Sequence, residues 1–328
     1  MFYEKNLISL DDINELRENG IIKVKNFLNE DELKEIKDIT KSYTLEKTHP
    51  YSFGSTDIGL MFKDILKLNF KKVMKDIKIL KLAKKKNLNF ISDRIFGKKS
   101  YLRFIDIYHT PICDENLLPW HSDMAYQGRE KGYIGYVNPD HDFLKFFIYL
   151  TDVGPDNGCT SYIPKSHKIA YAIRKGIFDK IIKYQPYFTL KEFRNFISDK
   201  ENADYIKNFL NDNNIIDEFL KKTNFINEKN DTNDFDFSLK AGDAIIFDEG
   251  GLHKASKSLY SERMVLRYLY WTKKTNFISD RLIRRKAQNL RKKTQSFSQR
   301  AEELELGRGR PLLFDNEKIE VNTPTEMK

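Results

Sequence analysis

Short β-type segments fill residues 100 to 168, as in "YLRFIDIYH", "YIGYVN" and "FLKFFIYLTDV", separated by Pro, Gly, Asn and Asp clusters. Helical periodicity with Asn-rich breaks then takes over from 172 to 232, in "FDKIIKYQ", "LKEFRNFISDK", "ADYIKNFL" and "IIDEFLKK", before strands resume in "FDFSLKAGDAIIFDEGGLHKAS" and "RMVLRYLYWT". A sheet left half-built at residue 168 would expose an unpaired edge, so the later strands must complete the earlier ones. The expectation is a mainly β protein with flanking helices, one domain over residues 1–275 carrying a helical insertion at about 172–232. Long insertions between strands serve as lids or as peripheral layers, and both readings stand for this one.

The opening reads helix, strand, helix. "SLDDINELRENG" is capped at Ser9 and stopped by Gly20, "IIKVK" alternates as a strand, and "NEDELKEIKDITKSY" starts with Asn29 and Glu32 in capping-box spacing. A third helical stretch covers 61 to 86, with Ile65, Leu66, Phe70, Val73, Ile77 and Leu80 expected on its buried face and Lys84, Lys85 and Lys86 at a solvated end. Residues 276–328 read as a basic helix followed by a polar tail.

Hydrophobic residues make up 40% of the 328, with 24 Phe and 17 Tyr, which excludes a disordered chain despite 32% charged residues. The net charge of +9 is a weak hint of an anionic partner, and a solvated basic surface is the preferred reading. Two cysteines, Cys113 and Cys159, cannot build a disulfide scaffold or a thiolate zinc site, and a reducing compartment is expected. The first residues lack the pattern of a signal peptide and no apolar run has membrane-span length, so a cytoplasmic protein with no membrane association is expected.

"PWHSDMAY" places His121 and Asp123 two positions apart. In extended chain both side chains reach the same side while Ser122 faces away. Such a pair alone arises often by chance. Its candidate partner is His253, which follows the turn at Gly242-Asp243, the strand "AIIF" and the flexible Gly250-Gly251. Two histidines and one carboxylate on a β-scaffold form the facial set of a non-haem Fe(II) oxygenase, which leaves three positions of an octahedron open. Arg263 and Arg267, ten and fourteen residues past His253, fall on one face of a strand, and either planar fork could anchor the far carboxylate of a bound keto acid.

With these blocks in order, from "NGIIKVKNFLNEDELKEI" through "WHSDMAY", "FLKFFIYLTDVGPDNGCTSYIPKSHK" and "LKAGDAIIFDEGGLHKAS" to "RMVLRY", the sequence resembles the phytanoyl-CoA dioxygenase-like family of Fe(II)- and 2-oxoglutarate-dependent oxygenases. The resemblance implies a double-stranded β-helix (a cupin-like jelly roll), iron held by His121, Asp123 and His253, and 2-oxoglutarate held by Arg263, with Arg267 the runner-up. The family often carries a serine two residues after the distal histidine; here Ala255 stands there, and Ser256, one further on, is the candidate second contact to the keto acid. The implied reaction consumes O2 and 2-oxoglutarate, releases succinate and CO2, and hydroxylates an unactivated C–H bond of a small-molecule substrate. Related halogenases lack the carboxylate ligand, so Asp123 favours hydroxylation or desaturation.

Trp120 and Tyr126 flank the clamp as packing residues or pocket wall. His109 and His141 have no partner at ligand spacing, and His167 lies in "IPKSHK", a block that the resemblance implies is a structural turn. Three other functions share parts of this pattern: a nucleic-acid demethylase, which would need a basic stripe interleaved with aromatics that the sequence lacks; a cupin-like metal protein of different chemistry; and a non-catalytic metal-binding jelly roll.

Overall fold

The computed structural model describes residues 8–44, 54–58, 70–114, 116, 118–123, 142–185, 187–227 and 230–272. The expected segments "YIGYVN" and 276–328, together with Ile65, Leu66, Tyr126 and His141, lie outside the described residues.

The capping chemistry fixes the opening. Ser9 and Asp12 bond reciprocally at the start of α1 (Leu10–Asn19), and Gly20 closes it at φ 83 in the left-handed region. β1 (Ile21–Val24) follows, then α2 (Glu30–Thr44), entered through the Asn29–Glu32 box with bonds of 2.9 and 3.0 Å. After β2 (Gly54–Ile58), α3 (Phe70–Lys85) keeps part of the expected face, with Val73 buried and Leu80 packed against the core, and departs from it at Phe70. Phe70 is 61% exposed, and Val73, Ile79, Leu82 and Ala83 are the residues turned inward. The lysines at its end are not all solvated: Lys86 is buried against Glu32 at 2.8 Å, and Lys85 reaches the same carboxylate at 2.5 Å. A further short helix, α4 (Leu88–Phe96), stops at Gly97.

β3 (Tyr101–Thr110), β5 (Phe143–Tyr149), β7 (Ala244–Asp248) and β9 (Arg263–Trp271) join β1 and β2 in a six-stranded antiparallel sheet of order β1-β7-β5-β9-β3-β2. β4 (Leu118–His121), β6 (Thr160–Tyr162) and β8 (His253–Ala255) form a second antiparallel sheet of order β4-β8-β6. Strands before and after the helical stretch therefore do complete one another, in the crossed order of a jelly roll.

The large sheet is apolar on both faces. Along β5, Leu144, Phe146 and Ile148 pack outward with Leu16, Ile36 and Ile79 of the helices, while Phe147 and Tyr149 face inward with Phe247, Val265 and Tyr162 of the small sheet. The back of the small sheet is covered by α5 (Ser166–Phe178), α6 (Leu190–Ser198), α7 (Lys200–Leu210) and α8 (Ile215–Thr223), whose apolar faces share a core with Trp120, Ile163 and Leu252. Here too one segment differs: "FDKIIKYQ" is the end of α5 followed by a turn at 179–182, not a helix of its own. No helix among the described residues is long and apolar enough to cross a membrane.

Candidate metal centre

The small sheet aligns the two histidines directly. In the β4–β8 register His121 stands opposite His253, with ring centroids 4.4 Å apart. Asp123 follows two residues later, and the ligand atoms of all three lie within 4.8 Å of one another, the one such cluster among the described residues. His121 Nε2 is 3.7 Å from Asp123 Oδ1, and His253 Nε2 is 3.6 Å from Asp123 Oδ2.

Backbone carbonyls orient both rings. His121 Nδ1 meets Pro119 O at 2.7 Å and His253 Nδ1 meets Gly251 O at 2.9 Å, each two residues upstream. A carbonyl can only accept, so each Nδ1 carries the proton and each Nε2 lone pair points into the cluster, the tautomer a metal ligand needs. Burial, reinforced by the neighbouring His253, pushes the His121 pKa down to about 3, so its imidazole is a neutral donor. The donor set suits a first-row divalent ion such as Fe(II).

Local sequence accounts for the fit. Ser122 turns away, as alternation requires, and its Oγ donates to Gly250 O at 2.7 Å, fastening β4 to the turn before β8. A Cβ on Gly251 would lie 1.9 Å from Tyr162 Oη, so only glycine allows that turn to press against β6. The helical stretch touches the site's frame as well: Ser122 N donates to Phe188 O at 2.9 Å, and the Phe188 ring lies 5.5 Å from that of His121.

The two candidate arginines differ sharply. Arg267 grips Asp106 through two bonds, one of them Nε to Oδ1 at 2.6 Å, with its guanidinium 4.6 Å from the Tyr108 ring. Arg263 lies over the Tyr149 ring at 5.7 Å and reaches Thr160 Oγ1 only at 3.4 Å, while its buried Nε has no hydrogen-bond partner. An orphaned guanidinium nitrogen on the wall of the metal pocket fits the far carboxylate of 2-oxoglutarate. Gly158 makes room for it, since a Cβ there would stand 2.9 Å from Arg263 Cδ.

Not every expected residue joins the site. Alternation along β8 sends His253 and Ala255 inward, and Ser256 lies on the other face, where its hydroxyl meets Cys159 Sγ at 3.4 Å and Ser161 Oγ at 3.3 Å. The hydroxyl beside Arg263 is that of Thr160, which also accepts from Tyr149 Oη at 2.8 Å. Trp120 likewise packs outward, its Nε1 donating to Asp231 at 3.1 Å. His109 pairs with Glu262 at the surface, and His167 Nε2 binds Arg17 O. Sequence reasoning missed Lys145, whose Nζ bonds Asp123 Oδ2 and whose signal was a lone charge inside "FLKFFIY". It missed the inner walls Phe147 and Leu118 as well.

Comparison with known families decides the lineage. The profile of the phytanoyl-CoA dioxygenase (PhyH) family matches residues 16–259, most of the chain. The chain belongs to the phytanoyl-CoA dioxygenase family. It is an Fe(II)- and 2-oxoglutarate-dependent dioxygenase, with O2 as the second cosubstrate. Among solved structures it is similar to EctD from S. alaskensis with 2-oxoglutarate and 5-hydroxyectoine bound, at 15% identity and TM-score 0.50, over 82% of this chain and 78% of that one. HygX from Streptomyces hygroscopicus, with nickel and 2-oxoglutarate bound, gives 13% identity and TM-score 0.49 over 80% and 87% of the two chains. The carbocyclase SnoK from nogalamycin biosynthesis gives 15% and 0.46, over 80% and 84%. The likeness to EctD supports the jelly roll. A search of curated proteins found no match.

Proposed function

We propose that this dioxygenase hydroxylates an unactivated C–H bond of a small-molecule metabolite, with His121, Asp123 and His253 as metal ligands and Arg263 as the anchor of 2-oxoglutarate. The observation that carries this reading is the cross-strand histidine pair with Asp123, three donors converging within 4.8 Å and both Nε2 atoms freed by backbone carbonyls. When bound, Fe(II) and 2-oxoglutarate supply the activation of O2, and the balance is substrate C–H plus 2-oxoglutarate plus O2 giving alcohol, succinate and CO2.

The chain's own residues do the rest. Pro119 and Gly251 carbonyls hold the imidazoles in register. Arg263, free at Nε where Arg267 is committed to Asp106, fixes the far end of the keto acid. Tyr108, Phe147 and Leu118 exclude water and offer apolar contact to a substrate. Residues 1–275 act as one catalytic domain in this reading, with 172–232 inserted and docked on β4 through Phe188. The separate free thiols Cys113 and Cys159 suit a reducing cytoplasm.

The test is a substrate screen that measures succinate from protein supplied with Fe(II) and 2-oxoglutarate, with mass analysis of the product. A gain of one oxygen atom is expected. Loss of two hydrogens instead would replace hydroxylation by desaturation, and no succinate above a His253→Ala control would remove the ligand assignment.

A further inference from the structure

Lys145 sits in the middle of a strand that is buried along its whole length, 1% exposed itself, and it points inward with Phe147 and Tyr149. Its ammonium bonds Asp123 Oδ2, the same oxygen that lies 3.6 Å from His253 Nε2. A divalent ion held by Asp123 and His253 therefore shares a carboxylate whose Oδ2 a second cation already uses. Also within 3.7 Å of the ammonium is Glu249 Oε2, a buried oxygen without a hydrogen-bond partner, on a residue only 5% exposed. Buried carboxylates persist when a counter-charge is at hand, and among the described residues the ion-pair partner of this one is Lys145.

We propose that Lys145 and Glu249 form a movable counter-charge for the metal centre: metal binding at Asp123 shifts the Lys145 ammonium toward Glu249, and the pair sets how tightly the ion is held. Both are positioning residues acting through Asp123. The inference rests on the ligand assignment made above. Formal charge supports it. A divalent ion, Lys145 and Arg263 carry four positive charges, and Asp123, Glu249 and the two carboxylates of 2-oxoglutarate carry four negative, so the pair adds no net charge to the loaded site, and loss of either member alone unbalances it. The other buried charges nearby are already matched, Arg267 by Asp106 and Lys254 by Asp231.

The sign of each effect follows. Removing the ammonium relieves repulsion of a divalent ion at close range, which outweighs one lost hydrogen bond to Asp123. Removing the Glu249 charge weakens the pull on Lys145 away from Asp123, so the ammonium competes with the metal. Calorimetric titration with Mn(II), which needs no turnover, reads this directly. Lys145→Met is expected to bind Mn(II) about tenfold more tightly, and Glu249→Gln about tenfold more weakly, the scale of changes around a metal's ligands. The double variant is expected within about threefold of the native chain, because the tenfold gain and the tenfold loss cancel. A merely structural lysine predicts the opposite for Lys145→Met, weaker binding through a loosened Asp123, and that result overturns the proposal. If Lys145→Met does not fold, Glu249→Gln decides alone, and native-like affinity there overturns it. Native binding that Asp123→Ala leaves intact, or no native binding at all, would sink the ligand assignment and this proposal with it; native binding with unaltered pair variants sinks only the proposal.

Discussion

The two sheets of this jelly roll are built on different principles. Strands of the large sheet run to nine and ten residues in β9 and β3, and β9 is buried at every position, so its register is fixed by apolar packing on both faces. The small sheet has strands of three and four residues, with an irregular step between Leu118 and His121. It is pinned by side-chain bonds instead: Ser122 Oγ to Gly250 O at 2.7 Å, and Leu252 N to Ser166 Oγ at 2.8 Å. The metal donors come from the small sheet and the turn just after β4, and Arg263 and Lys145 come from the large sheet. The site thus lies on the seam, where a rigid apolar frame presents its few charges to a short polar one. Stability should reside in one sheet and metal affinity in the other.

The largest effect should come from cutting a donor in the small sheet. His253→Ala is expected to lower metal affinity by well over about a hundredfold, beyond what outer residues achieve, and to abolish succinate formation. Its melting temperature without added metal should stay within a few degrees of native. Global unfolding of the variant would show that the small sheet is part of the stabilising frame and would break the contrast.

The converse cut is Phe146→Ala, in the outward face of β5. Loss of a fully buried aromatic is expected to lower stability by about 3–5 kcal/mol in urea unfolding. Mn(II) affinity of the folded fraction should not change. A matching loss of affinity would mean that the two sheets are not separable.

The same contrast explains what the sequence could reveal. Long strands with unbroken apolar runs, such as "RMVLRYLYW", and capped helices such as Leu10–Asn19 announce themselves through periodicity and caps. His121, Asp123 and His253 were legible because ordered family blocks surround them. Which face a residue takes was harder. Period-two alternation already placed Ser256 opposite His253, and weighing it would have turned attention to Thr160, whose register partner Ala255 shares His253's face. Phe70 read as core because helical spacing marks a stripe without saying where its edge falls. Lys145 was invisible for another reason: a lysine in an apolar strand reads as a solvent-facing exception until the carboxylate it meets, far away in sequence, is known.

The two arginines of β9 sharpen the comparison within the large sheet itself. Arg263→Gln is expected to raise the KM for 2-oxoglutarate by about a hundredfold, as loss of a charge-assisted fork would, with stability nearly unchanged. Arg267→Gln leaves Asp106 buried without its partner, so its cost should appear in unfolding, with the KM for 2-oxoglutarate near native. Reversed assignments would make Arg267 the keto-acid anchor and Arg263 the structural charge.

The smallest expected effect lies where the small sheet's helical layer meets the N-terminal helix. His167 opens α5 and binds Arg17 O at 3.1 Å, and burial pushes its pKa down to about 4. Between the unfolded value near 6.5 and about 4, the unfolded chain takes up a proton that the folded chain refuses, so this residue's contribution falls as pH drops through that window. Asp248 works in the opposite sense: burial raises its pKa to about 6, and between 6 and 3.8 the folded state binds the extra proton and gains stability on acidification. The two therefore mask each other in a native profile. Subtracting the unfolding profile of His167→Gln, whose amide can still donate to Arg17 O, from that of the native chain isolates the histidine. The difference should slope by at most about 1.4 kcal/mol per pH unit between 6.5 and 4 and flatten outside that window. Parallel curves would mean that the imidazole takes its proton in place, and that the contact between α1 and α5 opens before the sheets do.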